Sequence, residues 1–197
     1  YGLELKAHLT SRWGKTAVGA DFRHEGIVST TLGRPMDSVE WVPLRFHPEQ
    51  NYTHRDDRTQ MSYCLEHNVL LSHFTISAGL RAVMNSADGS TLRLCPGVDV
   101  AWRPGSRGWR VFASYNKGFR MPTFTDLYYK SPTQEGNRGL RPEESHSFSL
   151  GVNLRRGWVD ATARTFLHRG RRMIDWVMYS PAEKYHSTSF DLDNLGA

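Results

Sequence analysis

The chain has 197 residues, 39% of them apolar and 23% charged, with 25 Lys+Arg against 20 Asp+Glu for a formal net charge of +5. That is too apolar for a disordered chain, and the basic residues are scattered, without the long block expected of a nucleic-acid-binding protein. No run approaches the about 20 apolar residues of a membrane helix, although low mean hydropathy does not exclude membrane strands, whose alternating residues average out.

Tyr1 opens directly on patterned sequence, without a signal peptide, so the chain reads as an internal or mature segment. Alternation with period two begins there and dominates. It covers about 1–12, 15–30, 59–72 and 74–86. From Thr91 to Arg103, Leu92, Leu94, Pro96, Val98, Val100 and Trp102 share one face, while Arg93, Cys95, Gly97, Asp99 and Ala101 share the other. The pattern returns at 109–118 and again at Glu144–Arg155, where Phe148, Leu150, Val152 and Leu154 oppose Ser147, Ser149, Gly151, Asn153 and Arg155. It continues over 158–169, where "HRGRR" reads as a bend inside one strand reaching 179, and a ninth strand is expected near 188–195. Several segments exceed the soluble strand length of about 5–6 residues.

The connectors alternate in size. "SRWGK", "SH", "PGSRG" and "RRG" are tight; between them lie the stretch 31–58, "NSADGS", the stretch after Lys117 and "SPAEKYHS". In an up-and-down antiparallel meander, this puts every tight turn at one end and every longer loop at the other. A soluble sandwich has no reason to sort its loops so, whereas transmembrane barrels have short turns on one side and long loops on the other. The expected fold is therefore all-β, nine strands of a larger antiparallel barrel, oily face to lipid and polar face to the lumen. The luminal row would include Arg93, Asp99, Arg103, Ser149, Asn153, Arg155, Asp160 and Arg164. Trp13, Trp102, Trp109, Trp158, Trp176 and Tyr179 lie near segment ends, where they suit either interfacial girdles or ordinary sheet packing. Cys64 and Cys95 both fall on the polar face with one strand between them. Two strand spacings of about 4.8 Å place them beyond disulfide reach, so both thiols are expected to be free. No CxxC, HExxH, GxSxG or P-loop pattern occurs, and no enzyme is indicated.

The stretch "ASYNKGFRMPTFTDLYY" followed by "GLRPEESHSFSLG" resembles TonB-dependent outer-membrane receptors. The residues that carry the resemblance are Gly118, Phe119, Arg120, Pro122, Thr123, Asp126, Leu127 and Tyr128, then Asn137, Leu140, Pro142 and Glu143. Downstream, "RTFLHRGRRMIDWV" and "LDNLGA" look like the family's strand with a spaced Phe, Ile and Trp and its Asn-x-Gly opening of a further strand. The vitamin B12 branch looks nearest, beside receptors for ferric siderophores or haem. The resemblance implies an outer-membrane barrel of about 22 strands. It also implies active import of a bulky nutrient complex, cobalamin or a metal chelate, driven by a TonB-type energy-transducing protein acting through a plug. Residues 1–197 would be a partial barrel domain with the plug outside the chain; lipid and a surface lipoprotein are further partners. A passive porin-like barrel and a soluble β-sandwich binding module are the readings from other classes.

Pro122 fixes φ and removes a donor where a strand must stop, Gly118 suits a bulge or bend at the rim, and Arg120 can pair with Asp126, Glu143 or Glu144. These motif residues are therefore expected to shape the base of the loop. Ligand contact is expected from Trp41, Phe46, His47, Tyr52 and His54 in the first long loop, from Tyr128, Tyr129 and Lys130 in the next, and from Tyr185 and His186 in the last. Aromatic rings offer large contact area at small entropic cost, although such residues also pack a loop on itself. Asp56 and Asp57 offer hard oxygens for calcium or face solvent.

Overall fold

The computed structural model describes residues 1–105, 108–180 and 183–192. Its strands are β1 (Gly2–Ser11), β2 (Gly14–Ser29), β3 (Arg34–Pro35), β4 (Val42–Leu44), β5 (His47–Tyr52), β6 (His54–Leu70), β7 (Phe74–Asn85), β8 (Arg93–Trp102), β9 (Trp109–Arg120), β10 (Gln134–Glu135), β11 (Glu143–Arg156), β12 (Val159–Val177) and β13 (Tyr185–Leu192). One short helix, α1 (Phe124–Tyr128), interrupts them. The long strands form one open sheet in the order β1-β2-β6-β7-β8-β9-β11-β12-β13, with β10 beyond β13 and β3 beside β6. All neighbouring long strands are antiparallel.

Register shows how the faces are used. Val98 lies opposite Tyr115 and Tyr115 opposite Phe148, while Asp99 lies opposite Ser114 and Ser114 opposite Ser149. Direct partners share a face, so oily and polar rows run unbroken across the sheet. Leu94 is 47% and Val98 40% exposed. Leu3, Leu5, Leu65, Leu80 and Leu150 are exposed as well. Among the described residues the buried apolar side chains of the sheet are Val83 and Ala101, both on the polar-row side; Pro122 and Pro142 are buried at the loop base. No second sheet covers the oily face among the described residues, which removes the β-sandwich reading.

Tight connections join β1 to β2, β6 to β7, β8 to β9 and β11 to β12; the longer ones join β2 to β6, β7 to β8, β9 to β11 and β12 to β13. The expected alternation therefore holds. At the first tight turn Ser11 pairs directly with Gly14, whose φ of 136° suits glycine. Trp13, Trp102, Trp109 and Trp158 all gather at this tight-turn end and are exposed, with Trp102 stacked on Phe74 at 6.4 Å.

The structure corrects several expected boundaries. The third long strand begins at His54 rather than 59, because Arg55 to Arg58 find partners in β2 and Arg55 also pairs with Arg34 of β3. The first long loop is not irregular throughout: β4 and β5 form a hairpin on it. The last strand begins at Tyr185 rather than 188, since His186 and Ser187 pair with Val177 and Trp176. Residues 193–195 of the expected ninth strand, and most of "LDNLGA", lie outside the described residues. β12 does run through "HRGRR" as one strand, with a register shift between Gly170 and Met173 and Arg172 at φ 54°. Gly118 makes no bulge, because the β9–β11 ladder passes through Gly118–Ser145 without a shift. Arg103 stands past the end of β8, its amide bonded to the His73 carbonyl. The other seven residues of the luminal row hold their places on the polar face.

Candidate ligand-binding rim

The site is built from the ends of β9 and β11 and the segment between them. β9 stops at Arg120, where Pro122 withdraws a donor. The Pro122 carbonyl accepts from Arg58 at 2.6 Å, and the Arg58 guanidinium also pairs with Glu25 at 2.7 Å and lies 4.9 Å from the Phe124 ring. Thr123 and Asp126 then form a reciprocal capping box that starts α1. The buried Asp126 offers its carbonyl to the Ser187 hydroxyl at 2.6 Å and to the Asn137 amide at 2.9 Å, which folds the segment back onto β13. Leu127 and Leu140 lie within the turns this makes, half-buried.

Two carboxylates close the loop base. Glu143, 6% exposed, takes both forks of Arg120 at 2.7 and 2.6 Å, and it also accepts the Ile174 amide at 2.7 Å. Of the three acids considered for Arg120, Glu143 is its partner. Glu144 accepts from Arg93 at 2.9 Å and Arg172 at 2.5 Å, with Lys117 at 3.8 Å. One pair of adjacent acids thus ties together β8, β9, β11 and β12. Of the motif residues, Phe119 lies beneath the Arg93 guanidinium at 5.8 Å, and Arg120, Pro122, Asp126 and Glu143 supply the bonds of this frame.

Tyr128 joins the frame to the first long loop. Its hydroxyl donates to Asp56 at 2.6 Å; Arg34 stands 3.4 Å from the other Asp56 oxygen, and Arg138 lies over the Tyr128 ring at 5.1 Å. Burial, and then the bond to Asp56, raise the Tyr128 phenol above its ordinary value. Asp56 and Asp57 stand on β6 rather than in a loop. Strand alternation turns them to opposite faces, and Asp56 already carries a guanidinium and a phenol. Among the described residues no group of three or more His, Cys, Asp and Glu side chains is arranged to hold a metal ion.

The aromatic candidates fall into two groups. Trp41, Phe46 and His47 border the β4–β5 hairpin; Phe46 is 83% exposed, the Trp41 indole donates to the Met36 carbonyl, and His47 sits 3.3 Å from Glu49. Tyr52 ends β5, and His54 begins β6, bonded to Thr53 at 2.8 Å. The second group is Tyr129, Lys130, Tyr185 and His186. Tyr129 meets Trp176 edge-on at 6.3 Å, and Lys130 bridges to Glu135. Tyr185 and His186 are strand residues paired in parallel with Gln134 and Glu135, not loop residues as expected. The segment Ser131–Glu135 thus lies beside β13, so two loops distant in sequence act as one surface. Sequence reading missed Arg34, Arg58, Arg138 and Arg172. Each partners a residue 22 or more positions away or meets Tyr128 through a local fold, and no local pattern marks it.

Residues 1–188 match the family described as TonB dependent receptor-like, beta-barrel. Vitamin B12 transporter BtuB of Vibrio vulnificus (strain YJ016) is 28% identical over 144 residues, 72% of this chain and 22% of that protein. The siderophore receptor PirA from Pseudomonas aeruginosa has the same fold over 97% of the chain and 34% of its own, with a TM-score of 0.74 and 20% identity. The Serratia marcescens hemophore receptor HasR covers 94% of the chain and 36% of its own, with a TM-score of 0.66 and 14% identity. The chain thus spans about a fifth of its curated relative and about a third of these structural neighbours.

Proposed function

The chain belongs to the TonB-dependent receptor β-barrel family, and from that premise we propose that it forms part of the wall of an outer-membrane receptor that imports a bulky nutrient complex. Cobalamin is the first candidate, on the sequence similarity to the B12 transporter; a ferric siderophore or haem is the second, on the fold shared with PirA and HasR. The observation that carries the reading is a single sheet whose oily face has no protein cover, joined at one end to a rim of interlocked loops. Lipid would cover the oily face, and the rim faces the exterior. The β4–β5 hairpin and the Tyr129–Tyr185 surface are the proposed cargo contacts, while the frame around Glu143 and Glu144 holds their geometry. Import is driven by a TonB-type protein acting on a plug within the lumen.

The test is calorimetry on the full-length receptor in detergent with cyanocobalamin, haem and a panel of ferric siderophores. We expect one of them to saturate the receptor at a single site. If none binds, the nutrient reading fails and a passive barrel takes its place.

A further inference from the structure

The two ends of the sheet treat their cations differently. At the long-loop end Arg93, Arg120 and Arg172 are bonded to Glu143 and Glu144. The tight-turn end, residues 11–15, 71–74, 102–105, 108–110 and 155–160, carries six cations, Arg12, Lys15, Arg103, Arg110, Arg155 and Arg156, against one acid, Asp160. All six are exposed. Arg155 pairs with Asp160 at 3.2 Å, and the other five have no carboxylate partner among the described residues.

Register sorts these cations by face. Lys15 pairs with Thr10 and Asn68, and Arg110 with Asn153, so both lie with Arg155 in the polar rows. Arg156 is on the other side. Along β11 the oily row runs Phe148, Leu150, Val152 and Leu154 and then reaches Arg156, whose partner is Val159. Leu154 in turn pairs with Trp109. The apolar band on β11 therefore ends on a guanidinium, one step of about 6.6 Å beyond the Trp109 row. Arg12 occupies the first turn, its guanidinium 4.8 Å from the centre of the Trp13 ring. Arg103 stands just past Trp102, the last residue of the oily row on β8. Each of these tryptophan-bearing turns thus holds an exposed arginine at or beyond the edge of the oily band, with no carboxylate to answer it.

The next step rests on the barrel-wall reading proposed above. Lipid then covers the oily face, and tryptophans at its edge stand at the interface with water. A guanidinium on an aliphatic stem just beyond them reaches the level of the lipid phosphates. We propose that the tight-turn end is a docking surface for anionic phospholipid headgroups of the leaflet on that side, held by Arg12, Arg103 and Arg156 among the tryptophans. Charge selects this occupant. A zwitterionic headgroup brings its own cation, whereas a headgroup of net negative charge supplies the counter-ion that the fold leaves out. A soluble acidic protein would have to enter the bilayer edge to reach Trp102, Trp109 and Arg156.

The tryptophans themselves report the test. The full-length receptor is reconstituted in phosphatidylcholine vesicles containing a fraction of brominated lipid, either phosphatidylglycerol or phosphatidylcholine, and the quenching of tryptophan fluorescence is compared. Wild type should be quenched more by the brominated phosphatidylglycerol, with a preference of roughly five-fold at these positions that shrinks in about 1 M salt. The combined variant Arg12→Gln, Arg103→Gln, Arg156→Gln should lose most of that preference. Lysine at the same positions keeps the charge, should behave as wild type and guards against a folding artefact. Equal quenching of wild type by the two lipids, or an undiminished preference in the glutamine variant, overturns the proposal. Absence of quenching by either lipid overturns the barrel-wall reading on which it rests. Cargo calorimetry on the glutamine variant should match wild type, because the rim lies at the other end, so the lipid surface and the nutrient reading can fail separately.

Discussion

Removing Arg120 would leave the buried Glu143 carboxylate facing only the Ile174 amide. Arg120→Ala is expected to lower the stability of the full-length receptor by about 2 kcal/mol, read by tryptophan fluorescence during unfolding in detergent; an unchanged midpoint would show the pair to be idle. Thr123→Ala removes one half of the capping box and should cost about 1 kcal/mol, read as faster proteolysis within the segment from Met121 to Pro142. The Tyr128 phenol titrates higher in the folded state than in the unfolded one. The stability its neutral form lends is therefore complete below the ordinary pKa of about 10 and is lost as pH rises through the raised value. Protease protection of that segment should fall in the alkaline range in wild type, and the fall should vanish in Tyr128→Phe. Cys64 and Cys95 both pair across Arg81, two strand spacings or about 9.6 Å apart. Both are free thiols, so both should react with a maleimide on unfolding without reductant.

Among the elements, the loop ends differ from the turn ends in what they are for. The turn Ser11–Gly14 is short because it only reverses a strand. The segment between β9 and β11 is long because it must reach β6, β12 and β13, and it is ordered because its polar groups find partners there. A peptide tag inserted between Arg45 and Phe46 should therefore be labelled on intact cells expressing the full receptor. A tag between Arg12 and Trp13 should be labelled only after the outer membrane is opened. The reverse result would turn the barrel over in the membrane and move the rim to the wrong side.

For the whole molecule, few apolar side chains are buried among the described residues, so on the barrel-wall reading proposed above stability would come from backbone pairing and from lipid rather than from interior burial. The receptor should remain monodisperse only in detergent or bilayer, and dilution below the critical micelle concentration should precipitate it; a soluble monomer would refute the account. What the sequence determined alone was the period-two pattern, the sorted connectors and the motif around Arg120 and Glu143, since each is written in neighbouring residues: alternation is a property of successive side chains, and Pro122 stops a strand wherever it stands. Only the tertiary structure decided which acid Arg120 meets, that β13 reaches back to Tyr185 and that Tyr128 closes on Asp56. Those depend on register between strands far apart in the chain, and register is fixed by the summed pairing of whole strands, which no local stretch contains.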